Sequence, residues 1–220
     1  MMTPPETTLE NANNEPAAII NTVAVQGGPN RLVLNRDGTR LYVASATLPQ
    51  GITVIDTATF SVLRTITHLG SPIWLAMHPN APRLYASDNS QASDTPITVI
   101  DTLTDTVSDQ IKGFTTINGL ALNSTGTRLY VADQGASEVV VIDTSTLRRI
   151  TATEVRFPRA IAIAPGNARS HVASDLDGWT SIHLGTNRIV TQTNTVAGRP
   201  ASIVLALFNP RVYITYQDRG

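Results

Sequence analysis

The residues of this 220-residue chain whose types suit metal or acid–base chemistry are four histidines, His68, His78, His171 and His183, and a set of acids, Asp88, Asp94, Asp133, Glu138, Asp175 and Asp177. A protein-built zinc centre needs three or four such donors converging, often with a short-spaced pair such as H-x-x-x-H. No such pair occurs. Asp175-Leu176-Asp177-Gly178 has the start of a calcium loop without its later glutamate. Cysteine is absent, which excludes disulfides, thiolate nucleophiles and thiolate metal sites. The chain also lacks a G-x-S-x-G elbow, a phosphate loop and a dinucleotide fingerprint. Any site must therefore be assembled from single residues of separate elements, and neither a metal nor another cofactor is expected.

Those elements repeat. Tyr42, Tyr85, Tyr130, His171 and Tyr213 follow one another at spacings of 43, 45, 41 and 42 residues. A period of this length containing several short strands marks the blades of a β-propeller, each of which must stack on its neighbours to cover its apolar faces. The clearest copy reads as LALN, the turn STGT, RLYVAD, the loop QGAS, EVVVID, the turn TSTL and RRITATEV, giving four strands a to d. Strand c is β-branched and almost continuously apolar, as a strand covered on both faces should be. The sequence predicts an all-β propeller of about five blades, with repeats at about 28–67, 70–111, 116–155, 157–196 and 198–220. Residues 1–16 are polar and expected to be disordered. Residues 17–27 read as a strand d that closes the ring with the incomplete last repeat; otherwise the chain is part of a larger propeller, or two chains complete each other.

Hairpin pairing of b with c sets Arg40 opposite Asp56, Arg83 opposite Asp101 and Arg128 opposite Asp143, an arrangement expected to form cross-strand ion pairs. In the fourth copy Leu184 takes the place of the aspartate, leaving Arg169 free or with another acceptor. The same reading sets His171 opposite Ile182 and His183 opposite Ser170, which sends the two imidazoles to opposite sides of the sheet. His78 occupies the turn position of Asn35 and Asn123. The repeated tyrosines are expected between blades, and the Thr-x-Thr after each aspartate is expected to satisfy backbone groups in its turn.

The units Arg40-Leu41-Tyr42-Val43, Arg83-Leu84-Tyr85-Ala86 and Arg128-Leu129-Tyr130-Val131, with Val54-Ile55-Asp56, Val99-Ile100-Asp101 and Val141-Ile142-Asp143, resemble the YVTN family of β-propeller repeats. The resemblance implies a propeller, commonly of seven blades, in a periplasmic or cell-surface protein. It also implies a binding role, or kinship in fold with lactonases, or single-stranded nucleic-acid binding as in some members.

A scaffold repeats, so function is sought where the repeat breaks. At the start of strand a, where the inner strand opens onto the channel mouth, the copies carry Asn30-Arg31, Ile73-Trp74, Asn118-Gly119, Arg159-Ala160 and Ala201-Ser202. Arg31 and Arg159 are candidate carboxylate or anion hooks, Asn30 and Asn118 hydrogen-bonding groups, and Trp74 either a stacking platform or a channel plug. The b to c loops of the same face add Asp88, Asp133 and Asp175, with Gln134 and Ser174 among them. A formal net charge of -1 gives no general attraction to nucleic acid or anionic membrane. No apolar run approaches the roughly 20 residues of a membrane-spanning helix, and the N-terminal stretch has neither the basic nor the apolar region of a secretory signal. The expectation is a non-catalytic binding scaffold whose d–a and b–c loop face takes a protein, a glycan or a small anionic ligand. A lactonase-type hydrolase at the mouth is the alternative.

Overall fold

The computed structural model describes residues 21–88, 94–193, 198–206 and 211–217. Among them every regular element is a strand. The first blade comprises β1 (Pro29–Leu34), β2 (Arg40–Ser45), β3 (Gly51–Asp56) and β4 (Val62–Ile66); the second β5 (Pro72–Met77), β6 (Arg83–Asp88), β7 (Thr95–Asp101) and β8 (Thr106–Phe114). The third comprises β9 (Ile117–Leu122), β10 (Arg128–Asp133), β11 (Glu138–Asp143) and β12 (Arg148–Glu154). The fourth comprises β13 (Pro158–Ile163), β14 (Arg169–Ser174), β15 (Gly178–His183) and β16 (Arg188–Thr193), and a two-stranded sheet follows, β17 (Arg199–Leu205) and β18 (Val212–Gln217). Each sheet is an antiparallel meander in chain order, the arrangement of propeller blades. Among the described residues no helix is long and apolar enough to cross a membrane.

Among the described residues the sheets do not close into a ring. Residues 21–28 form no strand, and β18 pairs only with β17, so the strand expected to close the ring is not seen among the described residues. The disorder expected for residues 1–16, and residues 17–20 of the closing segment, lie outside the described residues.

Side chains of facing sheets form a chain of small cores. Tyr42, Ile52 and Val54 of the first blade pack with Leu84, Ala86 and Ile100 of the second. Tyr85 and Val99 meet Leu120, Leu129 and Val140 of the third, and Tyr130 and Val141 meet Ile161, Val172 and Ile182 of the fourth. The tyrosine of each blade is thus directed at the next. The fourth blade substitutes His171, whose ring stacks on Trp179 at 5.5 Å beside the core shared with Ile203.

The side-chain cap of the a–b turn recurs in the first three blades, whereas Ala164 and Ala206 hold that position in the later copies. Asn35 Oδ1 and Asn123 Oδ1 accept from the amides of Arg40 and Arg128 across the a–b turn. In the second blade His78 Nδ1 accepts from Asn80 and Ala81, so the histidine does an asparagine's work. At the c–d turns Asp56, Asp101 and Asp143 each accept two turn amides through Oδ1. His183 Nδ1 accepts from the Thr186 amide at the corresponding turn. The following left-handed residues, Phe60, Asp105, Leu147 and Asn187, have φ between 54° and 57°. Thr57 and Thr144 hydroxyls donate to the Gly38 and Gly126 carbonyls, as expected of the Thr-x-Thr turns.

Two expectations require correction. The b–c register of the first three blades is as read from sequence, with Arg40, Arg83 and Arg128 opposite Asp56, Asp101 and Asp143. The cross-strand ion pairs nevertheless do not form, because the carboxylates accept from their own turns. The guanidinium groups of Arg40 and Arg83 reach the next blade instead, where their Nη1 atoms donate to the carbonyls of Thr102 and Thr144. In the fourth blade the register is one residue away from the expected one: Arg169 is opposite His183 and His171 opposite Ser181. His183, not Leu184, is the aspartate's counterpart, and the two imidazoles share a face of the sheet. They still do not act as a pair, since His171 stacks on Trp179 and His183 caps its turn. Arg169 has no ion-pair or hydrogen-bond partner for its side chain among the described residues.

Candidate functional site at the channel mouth

Every innermost strand begins with an irregularity. The a–b register shifts between Pro29 and Arg31, between Pro72 and Leu75, across Ile117 to Gly119, between Pro158 and Ala160, and between Pro200 and Ser202. A bulge leaves its extra residue outside the ladder and re-aims that side chain. Four of the five follow a proline, which has no N–H to give the ladder and is tolerated at a strand's first residue or a bulge. The residues released in this way include Asn30, Asn118, Arg159 and Ala201, and in the second blade the Ile73-Trp74 step. Candidates chosen because they break the repeat thus stand where the backbone itself departs from the ladder.

Blades three to five bring several of them together. Asn118 Nδ2 donates to Gln134 Oε1 at 2.7 Å, and Gln134 Nε2 donates to Asp175 Oδ2 at 3.3 Å. Arg159 Nε lies 2.8 and 2.6 Å from the two oxygens of the same carboxylate. These groups border a cleft of about 470 Å³ lined by Gln134, Gly135, Phe157, Arg159, Asp175 and Arg199. Asp175 largely satisfies Arg159, leaving Arg199 as the lining cation whose side chain has no hydrogen-bond or ion-pair partner among the described residues. Phe157 adds an apolar wall, 44% exposed. The cleft therefore combines a hydrogen-bonded polar wall with an apolar one, and has one available guanidinium.

The other candidates fall into two groups. Arg31 and Trp74 meet on the first two blades, the guanidinium carbon 4.2 Å from the ring centroid, while Asn30 is exposed beside them. Asp88 and Asp133, expected on the ligand face, belong to the scaffold. Asp133 is 0% exposed and accepts from the amides of Thr115, Thr116 and Ala136. Asp88 is buried and accepts from the Ser71 amide. Both carboxylates fasten the strand that crosses inward from the preceding blade, and an inward-turned carboxylate with amide donors is poorly placed for a ligand. Asp177 holds the Arg156 amide and guanidinium in the same manner.

Phe157 and Arg199 were not among the site residues named from sequence, and Gln134 was named only as a member of its b–c loop. Phe157 and Arg199 each immediately precede the inner-strand proline, and Gln134 immediately precedes the tip of its b–c loop; position relative to the repeat is the signal that finds them.

The sequence profile of the cytochrome D1 heme domain family matches residues 12–163, more than half of the chain. The chain belongs to this cytochrome D1 heme domain family. Kuenenia stuttgartiensis hydrazine synthase is similar in fold, with 20% identity and a TM-score of 0.71 over 85% of this chain and 55% of that one. A chain of the mitotic checkpoint complex matches at 16% identity and TM-score 0.71, over 84% of this chain and 56% of that one. The β-propeller domain of Myceliophteria thermophila Cps50 (Swd1) matches at 14% and 0.73, over 90% and 65%. At such identities these likenesses show the propeller fold alone, and the chain spans just over half to about two thirds of their lengths. No curated protein matches the sequence.

The family's name specifies a heme, and heme iron takes an axial ligand such as histidine, cysteine, methionine or tyrosine. Among the described residues no histidine, tyrosine or methionine lines the cleft, so the cleft does not fit a heme. His78 and His183 use Nδ1 to cap turns, His171 is stacked on Trp179 of its own blade, and His68 stands exposed on the crossing from β4 to β5. Tyr42, Tyr85 and Tyr130 are buried between blades, Met77 packs against a core, and none of these residues lines the cleft. Among the described residues no three histidine, aspartate or glutamate side chains are grouped to hold a metal ion.

Proposed function

We propose that the chain is a non-catalytic binding module of YVTN-type repeats that takes a small anionic ligand at the mouth of its channel. The observation that carries this reading is Arg199, an exposed guanidinium without a partner among the described residues, set in a cleft beside Gln134, Asp175 and Phe157. A cation of this kind gains a charge-assisted contact with an oxyanion, while neighbouring amides select among ligands by hydrogen bonding. The Arg159–Asp175 pair supports the reading as a fixed wall: a carboxylate held at both oxygens keeps the guanidinium in place without consuming Arg199. Two further groups fit the cleft's chemistry less well. A neutral glycan has no use for the free cation, and a nucleic-acid base finds the face of Trp74 already occupied by Arg31.

Calorimetric titration with phosphate, citrate and a sugar phosphate at fixed ionic strength tests the proposal, with the corresponding neutral sugar as control. One or more of the anions should bind saturably at one site and lose at least tenfold in affinity in Arg199→Ala. Equal binding by the variant, or no binding by any of the anions, contradicts the assignment.

A further inference from the structure

Arg31 makes one defined contact, its stack on Trp74. Its Nε is buried and has no hydrogen-bond partner, and no acid among the described residues forms an ion pair with it. A buried guanidinium N–H deprived of both water and acceptor is costly, and native structures rarely leave one so unless something else supplies the acceptor. Elsewhere on this face the chain supplies it. Arg159 Nε donates to Asp175, and Arg156 Nε donates to Asp177 Oδ1 at 2.7 Å. Four residues beyond the tyrosine position, the fourth blade has Asp175 and the first blade has Ala46. The first blade has Asn30 at the position of Arg159 and carries its arginine one residue further on, at the position of Ala160, where no carboxylate of its own blade meets it. Ser45, one residue beyond Arg31's cross-strand partner Ala44, likewise has a buried hydroxyl without a partner.

We propose that Arg31, held against the indole of Trp74, is a receptor for a carboxylate brought by the ligand. The edge formed by Nε–H and one Nη–H matches the two oxygens of a carboxylate, and the stack fixes the plane in which they must arrive. The incoming group takes the part that Asp175 and Asp177 play for their own arginines. The site is on blades one and two and is independent of the Arg199 cleft on blades three to five. Its ligand is a free carboxylic acid or an acidic side chain of a partner protein; both present the same group.

The test uses the full chain with Trp179→Phe, so that Trp74 is the sole tryptophan and reports on the stack. Acetate, succinate and a tri-aspartate peptide are titrated at constant ionic strength against chloride, with Trp74 emission as readout and circular dichroism as the check on folding. Saturation by acetate or succinate supports a free acid as ligand, and saturation by tri-aspartate alone supports an acidic side chain. Arg31→Lys, which keeps the charge without the fork, should weaken either response at least tenfold, and Arg31→Ala should abolish it. The proposal is overturned if none of the carboxylates gives a saturable response beyond chloride, or if the arginine variants respond as the parent does. Arg199→Ala in the same background should leave this response unchanged, which separates its failure from that of the cleft.

Discussion

Arg40 donates to Asp105 of the neighbouring blade at 2.7 Å, although Asp56 stands directly opposite it in its own hairpin. The same carboxylate accepts the hydroxyl of Tyr42 at 2.7 Å, and burial, with Asp105 beside it, pushes that phenol's pKa well up. Asp105 thus joins the repeated arginine and tyrosine of one blade to the turn of the next, and the pair spans the blade boundary instead of the hairpin.

Asp105→Ala should destabilise the chain by about 2–3 kcal/mol, the range for losing charge-assisted hydrogen bonds from a largely buried acceptor. A double-mutant cycle in chemical denaturation should show coupling between positions 40 and 105 and none between Arg128 and Asp143. Coupling at 128 and 143 would mean that the cross-strand pairs do form in solution.

Asp143 belongs to its turn, whose Ser145 and Thr146 donors hold its pKa down at about 2. A carboxyl group depressed in the folded state stabilises above its unfolded pKa, and loses that contribution as pH falls from about 4 toward 2. Acid unfolding followed by circular dichroism should begin at higher pH in Asp143→Ala, with little difference between the two proteins once the aspartate is fully protonated. An unchanged acid transition contradicts the capping role.

Burial lowers the pKa of His171, with Arg169 on the same face acting in the same direction. Its neutral form is favoured by folding, so its contribution is complete above the unfolded value near 6.5 and declines as pH falls below it. His171→Phe should flatten the stability profile between about pH 7 and 5. A profile as steep as the parent's would place the titrating group elsewhere.

Asp133→Ala removes the acceptor of three backbone amides in a fully buried position, and should cost about 3 kcal/mol. Ligand affinity measured on the fraction that stays folded should be unchanged, because this carboxylate fastens the crossing strand and does not face the cleft. Loss of binding with full stability would return Asp133 to the ligand face.

The period of the tyrosines, the turn residues and the pairing register of three hairpins were legible because they rest on local chemistry. The fourth register was missed by one residue because an imidazole nitrogen replaces a carboxylate oxygen at His183, a substitution that preserves the acceptor while changing the letter. The true partners of Arg40 were not legible either: Asp105 is 65 residues away in the chain, and only the stacking of blades brings it near. Ring closure was left open by the sequence for a related reason, since pairing of the ends depends on the curvature of the whole arc. At the mouth, the departure of Arg31, Trp74, Asn118, Arg159 and Asp175 from the repeat was legible, which makes them candidates. Arg199 and Phe157 were not chosen because each stands immediately before the inner-strand proline, where its projection depends on that proline.

The most direct test of the anion-binding account is amide chemical-shift mapping of the isotope-labelled chain during titration with the tightest-binding small anion. The account predicts shifts that saturate together and cluster at Gln134, Gly135, Phe157, Asp175 and Arg199, and that vanish in Arg199→Ala. Shifts confined to the outer strands β4, β8, β12 and β16, or an identical pattern in the variant, would contradict it.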